Sequence, residues 1–317
     1  MTTPPSISVV IPTRARPDLV TRAVASALAQ TVGDLEVIVV VDGPDATTVR
    51  AVEAIDDARI RVIVADPPLG AGEARNRGVA AARGVWVAFL DDDDSWLPAK
   101  LERQLAVLHA ATIDQPIAFC PIVIRSAAGD RAWRSRPPRS GEPASEYLFV
   151  RRSLRTGEGT VGTSTIVARR SLLEAIRFDP SVRRFQDADW ILRAASTGAE
   201  LLYCPERLSI WAAPDDRRTI TADHAADWTY AFDWICERRH LVTARAYAAF
   251  LLVRVAGLAA AAGDRSAIGV LWREARRAGR PGILDVVLFV GRWLVPDGVR
   301  TRLRHRLVGV GDMRGGG

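Results

Sequence analysis

Four short apolar runs, 6–11 (SISVVI), 35–41 (LEVIVVV), 60–65 (IRVIVA) and 85–90 (VWVAFL), are separated by stretches of helical spacing. Runs of this length read as strands. Between the first two, Leu19, Val20, Ala23, Val24, Ala27 and Leu28 recur at helical intervals within 18–30. Residues 46–55 read as a second helix, 72–83 as an alanine-rich third that stops at Gly84, and 98–111 as a fourth. Such alternation predicts an α/β fold: a Rossmann-like, mostly parallel sheet with helices on both faces. Ligands of these sheets sit beyond the carboxyl ends of the strands. Three of the four strands end in, or shortly before, chemically suggestive residues: Pro12-Thr13-Arg14, Asp42, and the run Asp91, Asp92, Asp93, Asp94. The topology therefore predicts that these residues meet at one edge of the sheet.

Further on, 117–125 reads as a strand, and 131–152, rich in Pro, Arg and Ser, as a long loop or excursion. Gly157, Gly159 and Gly162 lead into a β-like run at 163–168. A helix is predicted over 185–196, ending at Gly198, and a strand over 200–203. From about 222 the pattern is wholly helical. The expected division is an α/β domain over 1–221, a helical extension over 222–308 and a frayed tail over 309–317.

The formal net charge is +6, and Lys100 is the only lysine. From 238 to 317 there are 15 Arg against 5 acidic residues, an excess of +10, which leaves the remainder at −4. The basic end suits anionic lipid or nucleic acid, and the acidic part a metal–phosphate substrate. No recognition module or interleaved aromatic platform supports nucleic acid, so none is expected as a partner. Cys120, Cys204 and Cys236 have neither zinc-like nor disulfide-framework spacing, which points to a reducing compartment. The N-terminus lacks the pattern of a signal peptide. No segment supplies the roughly 20 uninterrupted apolar residues of a membrane span. The nearest, 246–262, carries Arg254. A cytoplasmic location is expected, peripheral on the inner membrane face if the basic end docks there.

The aspartate run is the strongest chemical signal. Four carboxylates at the end of an apolar strand repel one another and gain nothing from the core. A divalent cation carrying a phosphate offsets that cost, since Mg²⁺ is usually held by one or two carboxylates with phosphates and waters completing its shell. The plainer reading is a solvated acidic turn ahead of the fourth helix. The Gly70-Ala71-Gly72 turn is not a dinucleotide fingerprint, because Arg75 stands where the third glycine belongs. Arg75 and Arg77 read instead as anion contacts or as a solvated helix face.

Four motifs carry a family resemblance. They are Ser8-Val-Val-Ile-Pro-Thr13, the run from Val37 to Asp42, Gly72-Glu-Ala-Arg-Asn-Arg-Gly78, and Phe89-Leu-Asp-Asp-Asp-Asp-Ser-Trp-Leu-Pro98. In order and spacing the chain resembles the family 2 glycosyltransferases. The likeness continues more loosely through Gly162-Thr-Ser-Thr165, Phe178-Asp179 and Gln186-Asp-Ala-Asp-Trp-Ile-Leu-Arg193. It implies a GT-A fold, a nucleotide-diphosphate sugar donor, Mg²⁺ or Mn²⁺, and inversion at the anomeric carbon. Carried over by position, Pro12, Thr13, Arg14 and Asp42 hold the nucleotide with Arg75 nearby. Asp91 and Asp93 form the D-x-D pair, with Asp93 the direct metal ligand and Asp91 towards the ribose or an outer-shell water. Asp92 shares in this work, and Asp94 caps the following turn.

The acceptor hydroxyl must lose its proton as it attacks, so a carboxylate is needed beside it. The resemblance assigns this role to Asp187, the second residue of Gln186-Asp187, where the family carries Glu-Asp. The plainer reading is an acid stabilised in the first turn of a helix. Asp189 reads as a cap or an exposed acid. Thr163, Ser164, Gln186 and Trp190 are candidate acceptor contacts. Trp190 and Trp96 read equally as core aromatics. His224 lies where some relatives carry a further metal contact. The acceptor expected is a glycan or a lipid-linked glycan of cell-envelope polysaccharide synthesis. A module of the same fold that binds nucleotide sugar or lipid for a partner enzyme, without catalysis, is the alternative.

In the C-terminal part, 244–262 and 266–278 read as a helical hairpin broken at Gly263-Asp264. A further helix over 282–294 is strongly apolar and ends at Trp293-Leu-Val-Pro296, with an interfacial tryptophan, and Arg300, Arg302, Arg304 and Arg306 follow. This is the pattern of a membrane-surface anchor, or of an appendage packed on the protein with a solvated basic end.

Overall fold

The computed structural model describes residues 5–127, 129–133, 135–154, 159–212 and 227–294. The chain divides into two compact units: the described residues of Met1–Trp133 and Val161–Ala213, and those of Arg134–Thr160 and Pro214–Gly317. The excursion thus groups with the C-terminal helices and not with the domain that surrounds it in sequence. The division expected at 221 lies outside the described residues, as do His224, Arg300, Arg302, Arg304, Arg306 and the tail over 309–317.

In the first unit, strand β1 (Ile7–Thr13) is buried along its whole length. Helix α1 (Pro17–Leu28) begins with Pro17, whose fixed φ suits a first turn, and buries Val20, Ala23, Val24 and Ala27. Strand β2 (Leu35–Asp42) is also fully buried. Helix α2 (Ala46–Glu53) is capped by the Asp45 carboxylate, which accepts from the Thr47 and Thr48 N–H groups. Then come β3 (Ile60–Ala65), α3 (Ala71–Ala81) and β4 (Trp86–Phe89). These four strands are parallel, in the order β4-β1-β2-β3. That is the sheet expected from the apolar runs.

Past β4 the structure departs from the sequence pattern. Asp94–Trp96 forms a short strand, β5, where only a turn was expected, before α4 (Lys100–Ala110). The single strand predicted over 117–125 is two: β6 (Pro116–Phe119) and β7 (Ile122–Ser126), which lie in different sheets. The break falls at Pro121, which has no N–H to continue a ladder. Strand β8 (Gly129–Ala132) returns antiparallel on β7, and α5 (Ala144–Phe149) lies in the excursion. The run 163–168 is half a strand. Thr163–Thr165 is a 3-10 turn, in which both the backbone N–H and the hydroxyl of Thr165 donate to Gly162 O, at 2.9 and 2.7 Å. Local side-chain bonding of this kind competes with a ladder. Only β9 (Val167–Arg169) pairs, antiparallel to both β4 and β6. Helices α6 (Arg170–Ala175) and α7 (Gln186–Ser196) and strands β10 (Glu200–Tyr203) and β11 (Ser209–Ala212) complete the unit. The large sheet runs β10-β6-β9-β4-β1-β2-β3, and a smaller one β5-β11-β7-β8.

One close approach sets the position of α3. A Cβ on Gly78 would stand 2.3 Å from Val10 Cγ1, so only glycine lets the helix lie directly on β1. One turn nearer the carboxyl ends of the strands, the same face carries Arg75. At the opposite end of the sheet the buried Glu36 carboxylate accepts from Ser8 Oγ at 2.7 Å, from Arg83 N at 2.7 Å and from Arg61 at 3.0 Å. Burial alone would raise its pKa, and these bonds outweigh burial and hold it low.

Among the described residues, the regular elements of the second unit are all helical: α5, α8 (Trp228–Glu237), a 3-10 turn Arg239–Leu241, α9 (Ala244–Ala249), a π-helical segment Phe250–Val255, α10 (Ala256–Ala261), α11 (Ala267–Ala278) and α12 (Ile283–Leu294). Gly263, at φ 72°, ends the first arm of the predicted hairpin in the left-handed region that glycine tolerates. The helix Ala244–Ala261 is long and apolar enough to cross a membrane, yet more than half of it is buried within the protein. Its Phe250 packs edge-on against Phe149 of α5, with ring centroids 4.8 Å apart. In the excursion, the Glu142 side chain is 2% exposed and accepts from Arg136, Arg152 and the Arg139 N–H.

Candidate active site

Register builds the site. Val10 pairs with Phe89, an offset of 79 residues between β1 and β4. Continuing both strands by three residues brings Thr13 opposite Asp92, and Thr13 Oγ1 donates to Asp92 Oδ2 at 2.8 Å. The Asp92 carboxylate also accepts from Arg16 Nη1 at 3.1 Å, and Asp93 receives the same nitrogen at 3.5 Å. Arg16 was not singled out by sequence. It stands two residues past Arg14, the other arginine of the Thr13-Arg-Ala-Arg-Pro17 run, and Ala15 between them has φ 53°. The left-handed residue reverses the chain, and Arg14 is exposed while Arg16 reaches the aspartates.

The four aspartates sort by parity. Asp92 is buried against Thr13 and Arg16, and Asp94 is held by Ser164, whose hydroxyl donates to it. The same Ser164 Oγ accepts from the Asp91 N–H at 3.0 Å. One hydroxyl therefore ties both ends of the run. Asp91 and Asp93, the alternate pair, keep about a third of their side-chain surface exposed. These are the two residues that the resemblance pairs as D-x-D, and Asp92, expected to share their work, is bonded to Thr13 and Arg16. Asp94 is fixed by a side chain from another segment and is not simply the cap of the next turn.

Electrostatics favours a cation here. Burial pushes Asp92 up to about 6, and the neighbouring Asp93 and Asp91 charges add to that against the pull of Thr13 and Arg16. Burial, then Asp91, raises Asp93, and the same two causes raise Asp94 well above the carboxylate range. The Asp94 Oδ1 atom is buried without a hydrogen-bond partner. Arg16 and Arg75 pair with three of the four aspartates, Asp92, Asp93 and Asp91, so carboxylates outnumber guanidinium groups and a cation would offset the excess. The donor atoms are hard oxygens, which suit Mg²⁺ or Mn²⁺. Among the described residues no three His, Cys, Asp or Glu side chains converge on one point. A cation would therefore take few protein ligands here and keep positions for phosphate and water.

Arg75 is buried and bridges two segments. It donates through Nη2 to Asp91 at 2.5 Å and through Nη1 to Gln186 Oε1 at 2.7 Å. Gln186 opens α7 and anchors itself by donating to Val182 O at 2.8 Å. Phe185, in the left-handed region at φ 66°, turns the chain into that helix. Asp187 follows, half-buried in the first turn, where its Oδ1 accepts from the Ala188 N–H at 2.8 Å. Asn76 of α3 fixes this region to the sheet side by accepting from Phe178 N at 2.8 Å and donating to Phe178 O at 2.9 Å.

Several sequence candidates have other duties. Asp42 lies at the expected edge, buried, but its carboxylate accepts from the Leu69 N–H at 2.5 Å and the Gly70 N–H at 3.1 Å. It closes the turn into α3, where Gly70 takes φ 83°. Pro12 is buried in β1. Trp190 is 0% exposed, stacks on Phe178 and donates to Ile176 O at 2.7 Å. It is core and offers no face to a sugar. Trp96 is core as well, donating to Ser164 O at 2.8 Å. Thr163 and Ser164 are buried, and Ser164 is consumed by the aspartate run. Asp189 is no exposed acid, because it is buried and paired with Arg193 at 2.8 Å. Of the four acceptor candidates, Ser164 and Gln186 lie within the site, where Ser164 ties the aspartate run and Gln186 holds Arg75.

Residues 8–177 match the model of the family described as "Glycosyl transferase family 2". Among curated proteins, the chain is 30% identical to the succinoglycan biosynthesis protein ExoO of Rhizobium meliloti (strain 1021), over 74% of this chain and 71% of that protein. It is 26% identical to the amylovoran biosynthesis glycosyltransferase AmsB of Erwinia amylovora, over 66% and 72%. In fold it resembles the mannosyltransferase PcManGT of Pyrobaculum calidifontis, solved with GDP-Man and Mn²⁺. The TM-score is 0.60 at 16% identity, covering 97% of this chain and 86% of that one.

Proposed function

This chain belongs to glycosyltransferase family 2, and we propose that it is an inverting enzyme that works with a divalent metal. In this reading it moves a sugar from a nucleotide-diphosphate donor to a hydroxyl of a glycan or lipid-linked glycan. The observation that carries it is the parity of the aspartate run: Asp92 and Asp94 are tied to Thr13 and Ser164, whereas Asp91 and Asp93, though paired with Arg75 and Arg16, keep about a third of their side-chain surface open to a ligand.

Asp93 and Asp91 would hold Mg²⁺ or Mn²⁺. When bound, the cation stabilises the negative charge that grows on the departing diphosphate. Arg75 places a guanidinium on Asp91, and Gln186, being neutral, leaves that charge to Asp91 alone. Asp91 is thereby the better-compensated carboxylate, which favours Asp93 as the direct ligand. Thr13 and Arg16 hold the base of the loop rigid, so the site needs little rearrangement as the charge develops. The acceptor oxygen attacks the anomeric carbon as the bond to the diphosphate oxygen breaks, and Asp187 takes the hydroxyl proton. A single displacement of this kind inverts the anomeric centre.

Names of the relatives favour envelope polysaccharides as the product class. ExoO and AmsB are named for succinoglycan and amylovoran synthesis. Such an acceptor would place the enzyme in the cytoplasm at the inner membrane face. The test is metal-dependent release of nucleotide diphosphate from a panel of donor sugars. Slow release that needs Mg²⁺ or Mn²⁺ and is lost in Asp187→Asn and Asp93→Ala is expected. Donor binding without any release would favour the non-catalytic module.

A further inference from the structure

Helix α12 packs one face inward against its neighbours. Asp285 is buried, accepts from Arg245 and receives the Gly282 N–H at 2.9 Å. Phe289 is buried and stacks on Trp272 of α11, with ring centroids 6.1 Å apart, while Trp293 meets Phe289 edge-on. The sequence pattern suggested Trp293 as the interfacial anchor. Instead its Nε1 is buried. Arg292 also turns inward, since a Cβ on Gly257 of α10 would stand 2.8 Å from its guanidinium.

The outward face is different. Ile283, Val287, Val290 and Leu294 are 86, 54, 45 and 75% exposed, and no other residue of the helix is exposed. Their spacing of four, three and four places them within a stripe roughly 60° wide at about 100° per residue. A helix whose outer face meets water carries charge there. This one carries only aliphatic side chains, in a stripe of about 16 Å along the axis.

We propose that α12 docks on an anionic lipid bilayer, lying in the interfacial plane with Ile283, Val287, Val290 and Leu294 immersed. Charge selects this occupant. Arg273, Arg276, Arg277 and Arg280 are exposed on α11 and the turn that leads into α12. Arg276 lies over the Trp272 ring, which itself stacks on Phe289. Residues 238–317 hold 15 Arg against 5 acids. Arginine stems can lie along apolar surface while their heads pair with headgroup phosphates. A second copy of the chain fits less well. Four partly exposed aliphatic side chains offer roughly half of the ~800 Å² that each partner gives to a standard interface.

Flotation of the full chain with vesicles tests this, using phosphatidylcholine alone and phosphatidylcholine with phosphatidylglycerol. The protein should float with the anionic vesicles and much less with the neutral ones. Val287→Asp/Val290→Asp should lower the bound fraction on the order of tenfold, with unchanged melting temperature and unchanged donor hydrolysis in solution. A wild-type protein that stays with the soluble fraction would overturn the proposal, as would a variant that floats equally well. So would a lipid-free dimer that the double substitution dissociates, since the stripe would then belong to a second copy. Flotation is read independently of turnover, so a lack of hydrolysis in both proteins bears on the catalytic reading alone.

Discussion

Arg75 donates to Gln186 at 2.7 Å, and through its other terminal nitrogen the same guanidinium holds Asp91. One buried side chain thus joins the helix carrying the candidate base to the loop carrying the candidate metal ligands. Arg75 Nε is already buried without a hydrogen-bond partner. Gln186→Ala leaves a second buried N–H unmet, a cost of about 1–3 kcal/mol. If the link orients the site, kcat should fall roughly tenfold to a hundredfold. Gln186→Glu, which keeps an acceptor oxygen, should retain more activity than Gln186→Ala. Equal kcat in wild type and Gln186→Ala would remove the link from the account.

Ser164 holds both ends of the aspartate run through one hydroxyl. Ser164→Ala should loosen the loop without opening the core, because the change removes a single oxygen. Metal affinity, read from Mn²⁺ titration, should weaken about tenfold for the roughly 1.4 kcal/mol of one charge-assisted bond. The melting temperature should move by only a few degrees. A large drop in melting temperature with unaltered Mn²⁺ affinity would mean that Ser164 serves folding alone.

Glu142 supplies a pH test in the second unit. Burial alone would raise its pKa, but the bonds from Arg136, the Arg139 N–H and Arg152 outweigh burial and hold it at about 2, against an unperturbed 4.5. A carboxylate depressed by folding stabilises above its unfolded pKa and loses that contribution as pH falls through the folded one. Glu142→Gln should therefore cost about 3 kcal/mol at pH 7. Between pH 4.5 and about 2 the difference from wild type should vanish. Denaturation curves across that window check it, and a cost that persists at low pH would assign Glu142 a packing role.

Lys100, the only lysine of the chain, is 0% exposed. Its Nζ has no hydrogen-bond partner among the described residues and lies 3.7 Å from the Trp96 ring centroid. Burial lowers its pKa from 10.5 to about 7. The folded state sheds this proton before the unfolded one, so stability rises as pH climbs from about 7 towards 10.5. Lys100→Met should stabilise the protein by about 2 kcal/mol at pH 7. The gain should shrink at pH 9 in the same melting experiment. Destabilisation at both values would show that the ammonium–indole contact outweighs the cost of burial.

The sequence made the parallel half of the sheet legible because its strands are buried on both faces and so read as unbroken apolar runs. The later strands, β5, β6, β7 and β9, are short, and their pairing is decided by Pro121 and by the Thr165 turn, which leave faint traces in composition. At the site, the strand-end positions of Thr13, Asp42 and the aspartates followed from topology alone. What each carboxylate does there did not, because parity within a run of identical residues is set by partners far away in sequence, Thr13 and Ser164. Arg16 went unread because its reach depends on one left-handed residue, Ala15. Trp190 was ambiguous since a tryptophan beside a helix start reads the same whether it faces a sugar or the core.

Asp93 carries the central claim, and donor binding measures it most directly. In thermal-shift titrations against nucleotide-diphosphate sugars, a matching donor should raise the melting temperature of the wild type only when Mn²⁺ or Mg²⁺ is present. Asp93→Ala should abolish that metal-dependent shift while keeping the ligand-free melting temperature within a few degrees. A donor that binds the wild type equally well without metal, and binds Asp93→Ala with the same affinity, would contradict the account.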